Sequence, residues 1–175
     1  MMRRAGICRT ACFILIAAGT LLAQSAPGPV PAAILSAKSL FVSNGGGDAG
    51  LFPEPFSGDP SRGYSELYAA LKASGQYQLV DDPSQADLVL DLKLTAPYGP
   101  SRANKMQGAS DPLPMFTLTV FDRKTHYALW TLTRNIDFAV LQRTHDRNFD
   151  DALMAIVSQF EALGGKTPAA STTTP

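Results

Sequence analysis

The sequence predicts an α+β fold: a mostly antiparallel sheet with two helices packed on one face, in the order β-α-β-β-β-β-α. Three observations carry this. Leu88, Leu90, Leu92 and Leu94 alternate with Val89, Asp91, Lys93 and Thr95, the period of two that marks a half-buried strand. Phe116, Leu118 and Val120 repeat that alternation, and the polar run from Asp122 to Thr125 then returns the chain as a hairpin. Two further stretches space their apolar residues as helices do, and each helix must bury its stripe against the sheet.

Taken in order, Ser39 to Ser43 (SLFVS) reads as the first strand, and the segment NGGGDAGLFPEPFSG reads as a loop. Asp59 and Pro60 form a helix start, because the carboxylate can cap free N–H groups and proline suits the first helical position. Tyr64, Leu67, Tyr68 and Leu71 make its apolar face, and Gly75 its stop. Tyr77 and Leu79 open a second strand. Asp82-Pro83 predicts a single helical turn before the Leu88 strand. The long connection 96–114 leads to the fourth strand, and HYALWTLTRNIDF to the fifth. On alternation, Trp130 shares a face with Ala128 and Leu132, and core packing is its expected role. The last helix is expected from about Asn148. Phe149, Leu153, Ile156, Val157 and Phe160 form its stripe, Asp150 and Asp151 sit in its first turn, and Gly164-Gly165 ends it.

The N-terminus places Arg3, Arg4 and Arg9 around and before an apolar run, Ala11 to Ala23, shorter than the roughly 20 residues a membrane span needs. Small residues follow, with Ala23 and Ser25 positioned for cleavage after Ser25. Residues 1–25 are therefore expected to be a cleaved signal peptide, and the protein periplasmic or secreted. Both cysteines, Cys8 and Cys12, fall inside that segment, so the remaining chain has no disulfide, cysteine nucleophile or thiolate metal site. No cysteine follows Leu22-Ala23-Gln24-Ser25, so no lipid anchor is expected. Residues 26–35 read as a Pro-rich leader segment, 36–164 as a single α+β domain, and 165–175 as a disordered Thr/Pro tail. Losing Arg3, Arg4 and Arg9 turns a balance of 15 basic and 15 acidic residues into an acidic excess. With no basic cluster, no nucleic-acid partner is expected.

Asn44, Gly45, Gly46, Gly47 and Asp48 raise the question of a phosphate cradle. Such a loop needs a helix N-terminus directly after it, usually with Lys-Ser/Thr. Here the expected helix starts a dozen residues later, and Asp48, Glu54 and Asp59 would repel an anion. These five residues are read instead as a candidate partner-contact loop, with no cofactor. A right-handed crossover would put this loop, the Asp81–Asp87 connection and the Asp122 turn at one end of the sheet. The 96–114 loop, with Arg102 and Lys105, would lie at the other end. His126 and His145 lack ligand spacing, so no metal site is expected. No Gly-x-Ser-x-Gly elbow anchors a catalytic serine, and no catalytic residue is assigned.

The stretches YQLVDDPSQADLVLDLKL and FTLTVFDRKTHYALWTLT, with Asp122, Thr125 and Trp130 in the hairpin, resemble a class of uncharacterised bacterial envelope proteins. These are often lipoproteins and are similar to the TolB amino-terminal domain and to CsgG. The resemblance implies an α+β envelope domain used for protein–protein contacts, with no catalytic residues to carry over. The expected function is a non-enzymatic protein-interaction module of the cell envelope, with an envelope protein as partner. The alternatives are a small-ligand or nucleotide binder through residues 44–50, or an unrecognised hydrolase.

Overall fold

A computed structural model describes residues 28–97 and 113–166. The first strand, β1 (Ser39–Gly47), runs on through the glycines rather than ending at Ser43. It is followed by helix α2 (Arg62–Ser74), strands β2 (Gln78–Leu79), β3 (Leu88–Thr95), β4 (Met115–Asp122) and β5 (Ala128–Asn135), and helix α3 (Gln142–Leu163). A one-turn helix, α1 (Ala32–Ser36), precedes them all. The sheet order is β2-β1-β3-β4-β5. Antiparallel pairing joins β3, β4 and β5, while β1 lies parallel to both β2 and β3.

Alternation decides which sheet face is covered. Leu40, Val42, Leu88, Leu90, Leu92, Leu94, Phe116, Leu118 and Val120 point to the buried side. There they meet Leu67 and Leu71 of α2 and Phe149, Leu153, Ile156 and Phe160 of α3. The rings of Phe116 and Phe149 touch edge to face at 4.8 Å, and Phe56 meets Phe149 in a tilted contact at 5.2 Å. Each such ring, fully withdrawn from water, contributes about 1.5–3 kcal/mol. Trp130 pairs with Val120 and packs against this core as expected, but a register shift after Val120 pairs Ala128 with Phe121 and so turns Ala128 to the opposite face from Trp130 and Leu132.

The helix ends follow their local chemistry. Asp59 Oδ1 accepts the Ser61 N–H at 2.7 Å, and Gly75, at φ 62°, ends α2 in the left-handed region. α3 begins six residues before Asn148, so Asp150 and Asp151 fall outside its first turn. The early start is tertiary: the Gln142 amide donates to Pro55 O at 2.8 Å, and Asp146 binds Ser57. Part of the segment read as a Pro-rich leader also folds. Ile34 of α1 is buried in the core cluster.

One topological expectation is overturned. Because β3 runs parallel to β1, Gly47 pairs with Leu94 at the far end of β3, while Leu40 pairs with Leu88. The glycines thus lie opposite the Asp81–Asp87 connection and the Asp122 turn. They share an end with Thr95 and with the start of the 96–114 connection. The expectation failed because it took β3 to reverse direction after β2. Instead the short 3-10 turn Pro83–Gln85 carries the chain back to the same end. Asp87 secures that return, accepting the Lys38 and Ser39 N–H groups at 2.8 and 3.0 Å. These two backbone bonds hold its carboxyl below the usual range.

The glycine run is a strand with a register shift between Asn44 and Gly47. At Gly45 a Cβ would come within 2.6 Å of the Leu92 carbonyl oxygen. Gly45→Ala is therefore expected to destabilise the fold by roughly 1–3 kcal/mol, read as a lowered urea midpoint, whereas Ser43→Ala at the edge of the same segment leaves the midpoint nearly unchanged.

Candidate functional site

Asn44 to Asp48 form part of β1 and its exit, and their amides are largely engaged. Gly46 N–H donates to Asn44 Oδ1 at 3.1 Å, Asp48 N–H to Leu94 O at 2.9 Å, and Gly50 N–H to Asp48 Oδ1 at 2.9 Å. A phosphate would have to displace these bonds. Asn44 and Asp48 are the members whose side chains bend back on their own backbone. Arg102 and Lys105 lie outside the described residues. His126 is exposed at φ 61° beside the hairpin turn, where Asp122 accepts the Thr125 N–H and hydroxyl. His145 stands edge-on to Phe56 and Phe138, at 5.9 and 5.6 Å. The two histidines are thus on different elements, one in the hairpin and one in α3. Among the described residues no cluster of three or more His, Asp or Glu is placed to hold a metal ion. No described helix is long and apolar enough to cross a membrane.

The densest polar cluster centres on Arg62. Its Nε donates to Glu66 at 2.7 Å, its Nη1 to Asp146 at 2.6 Å and Ser57 O at 3.1 Å, and its Nη2 to Asp150 at 2.7 Å. The guanidinium also lies 4.3 Å from the Phe149 ring centroid. Burial alone would lower the Arg62 pKa, but the Glu66, Asp146 and Asp150 carboxylates outweigh it and raise it. Desolvation pushes Asp146 up, while the Ser57 and Arg62 bonds hold it below 3.8. Burial raises Glu66 above 4.5 despite Arg62. Four N–H···O bonds run from Arg62 to acceptors within this cluster, so it clamps α2, α3 and the segment 55–57 together.

The surface features lie elsewhere. β5 is the outer strand of the sheet, and no described strand pairs with its far side. Its sequence, ALWTLTRN, is rich in β-formers. The opposite edge, β2, is only two residues long and offers little to pair with. The sheet face away from the helices carries Ser43, Asp91, Lys93, Thr117, Thr119, Thr131 and Thr133, with Asp91 and Lys93 paired at 3.4 Å. Beyond β5 the chain exposes Phe138, Val140 and Leu141. Sequence reading missed these, because Ile136, Phe138 and Val140 extend the strand alternation. The strand ends at Asn135, and Ile136 and Ala139 turn inward instead. The polar run QRTHDRN immediately after Leu141 is the signal that the apolar stretch is a helix entry, not a core strand.

No family model matches the chain, and no curated protein matches it. Several solved structures show a distant similarity to it. A DUF330 protein from Xanthomonas campestris is 14% identical, with a TM-score of 0.48 over 75% of this chain and 84% of that one. The PelC dodecamer from Paraburkholderia phytofirmans is 15% identical, with a TM-score of 0.42 over 70% and 86%. An uncharacterised lipoprotein from Nitrosomonas europaea is 13% identical, with a TM-score of 0.40 over 74% and 82%. Each is a distant similarity to a bacterial protein.

Arg62→Ala is expected to cost roughly 2–4 kcal/mol, because Asp146 and Glu66 lose their counterion while part-buried; urea unfolding measures it. The pH dependence has a definite sign. Asp146 has a depressed folded pKa, so its stabilisation is complete above 3.8 and drains as pH falls from there toward the folded value. Glu66 acts oppositely, and protonating it favours the fold as pH falls toward 4.5. Asp146→Asn is thus expected to make the acid limb of the stability curve below 3.8 shallower while leaving the Glu66 limb in place, as urea midpoints measured across that range would report.

Proposed function

We propose that this chain is a non-enzymatic interaction module of the bacterial cell envelope, periplasmic or secreted, which docks an envelope protein by strand addition to β5. One observation carries the reading: an eight-residue outer strand of high β-propensity, with no described strand on its far side. Natural sheets blunt such edges with short strands, prolines or charges. β2 follows that rule through its length. β5 has only Arg134 as a charge and no proline. An incoming strand would gain main-chain hydrogen bonds along β5, and the alternate side chains Thr131 and Thr133 would set register. The resemblance of the strand and hairpin sequences to envelope proteins used for protein–protein contacts points the same way. The glycine segment Asn44–Asp48 contributes at most a secondary contact in this reading, through Asn44 and the turn at Asp48.

The test places a photo-crosslinking residue at Thr131 in one strain and at Lys72, on α2, in another. The expected outcome is a discrete envelope-protein adduct from Thr131 only, lost when Thr133→Lys charges the same edge. Adducts of equal yield from both positions, or a Thr131 adduct indifferent to Thr133→Lys, would remove strand addition at β5.

A further inference from the structure

An isologous contact uses the same surface on both partners, so an edge strand that meets a copy of itself must run antiparallel to it and match its own reverse. The hydrogen bonds of β5 fix which of its backbone groups are free for this. Ile136 N–H donates to Pro114 O at 2.8 Å, next to the Met115–Asn135 pair. In an antiparallel ladder such bonded pairs alternate with pairs whose N–H and C=O groups point away from each other. Trp130, Leu132 and Arg134 therefore direct their backbone groups to β4, and Thr131, Thr133 and Asn135 turn theirs to the open edge. At the start of the strand Asp122 N–H donates to Tyr127 O at 3.0 Å, and the register shift after Val120 accounts for the change from odd to even residues.

Two copies of β5 can pair through these groups only if Thr131, Thr133 and Asn135 face odd-numbered residues of the other copy. With a two-fold axis at Leu132, Thr131 meets the second copy's Thr133 through bonded backbone groups, and Leu132 meets its own counterpart. Trp130 then stands opposite the second copy's Arg134 on the helix side of the sheet, where a guanidinium can lie over the indole ring. Arg134 is the charge that β5 carries, and no ion pair holds it among the described residues. An axis at Thr131 would set Arg134 against Ala128, which the register shift turns to the other face. An axis at Thr133 would set Trp130 against Ile136, which is buried. The ends of the strand agree with Leu132. Tyr127, before β5, and Phe138, after it, are 74% and 86% exposed. The Leu132 axis brings Tyr127 of each copy against the Asp137–Phe138 turn of the other. The helix above is also suited to a copy. Arg62 draws Asp146 and Asp150 to the α2 side of α3, while the Asn148 amide reaches Asp137 O just past β5. By helical spacing that second flank runs through Asn148, Ala152, Ala155 and Gln159 and carries no charge, so two α3 helices can lie side by side without repulsion.

We propose that the partner added to β5 is a second copy of this chain, giving a dimer whose two sheets join through β5 about a two-fold axis at Leu132. The proposal rests on strand addition at β5 and names the strand that is added. Such a contact closes on itself and does not propagate. It covers the long outer strand of both copies and leaves only the two-residue β2 at each end of the joined sheet.

The experiment uses the purified chain with Cys8→Ser and Cys12→Ser, so that an introduced thiol is the only one. Sedimentation is expected to show a dimer that dissociates on dilution. Leu132→Cys is expected to give a disulfide-linked dimer on oxidation, because a non-hydrogen-bonded pair on the axis brings the two thiols within reach. Thr131→Cys alone is expected to stay unlinked, since its counterpart lies two residues out of register, whereas Thr131→Cys mixed with Thr133→Cys links. Thr133→Pro removes an outward N–H and leaves the β4 ladder intact. It is expected to raise the dimer dissociation constant roughly tenfold or more, because a two-fold contact loses the bond twice. The thiol variants decide the matter if the proline variant does not fold. A chain that sediments as a monomer up to its solubility limit overturns the second copy. Strand addition at β5 then stands if a photo-crosslinker at Thr131 captures a protein of another mass in the envelope, and falls too if it captures nothing. A dimer that Thr133→Pro leaves unchanged, and in which Leu132→Cys stays unlinked, forms through another surface and likewise overturns the proposal.

Discussion

The guanidinium of Arg62 sits where both helices and the segment before α2 converge on one sheet face. The sheet sends its apolar side chains to that face, and among the described residues α2 and α3 are the helices long enough to cover it. They must therefore lie close together, with Phe149 packed on Phe116 between them. A close approach of two helices brings Glu66, Asp146 and Asp150 near one another, and three carboxylates would repel. One cation with a planar fork of donors resolves this, reaching Glu66 on its own helix and two acids on α3 while lying over the Phe149 ring. A lysine could neutralise the charge but could not span three acceptors and stack on a ring. The polar clamp and the aromatic core are in this sense one structure.

Period was the part of the fold best written in the sequence. β3 and β4 follow the alternation of their leucines and phenylalanine, and α2 ends at Gly75 as expected. What the chain did not announce was long-range. The start of α3 depends on Gln142 and Asp146 finding Pro55 and Ser57, nearly ninety residues away in sequence. The direction of β3 depends on Asp87 reaching the amides that open β1. Neither contact leaves a local pattern, and local signals carried the expectation past the true boundary in both cases.

The candidate surface was less legible than the fold for a related reason. Exposure is a property of what fails to pack, and an apolar residue that faces water looks in sequence like one that does not. Ile136, Phe138 and Val140 have the spacing of one strand face, yet Ile136 is buried and the other two are exposed. The glycine run misled in the opposite sense. Its three small residues suggested an open loop, whereas at Gly45 a Cβ would lie only 2.6 Å from the Leu92 carbonyl oxygen. The missing side chain serves a strand contact there.

The central position of β1 has a consequence for the emerging chain. It is the first strand made, but its partners are residues 78–79 and 88–94. The hairpin of β4 and β5 closes locally, while β1 waits for some forty residues to follow it, a non-local pairing of the slow kind. An unpaired strand in waiting is a hazard during synthesis, since its open backbone can recruit another chain. SLFVS alone would be such a segment. Continuing it as NGGG gives half the strand almost no tendency to pair prematurely, so the glycines that fit the finished sheet also keep its first strand quiet until the sheet exists.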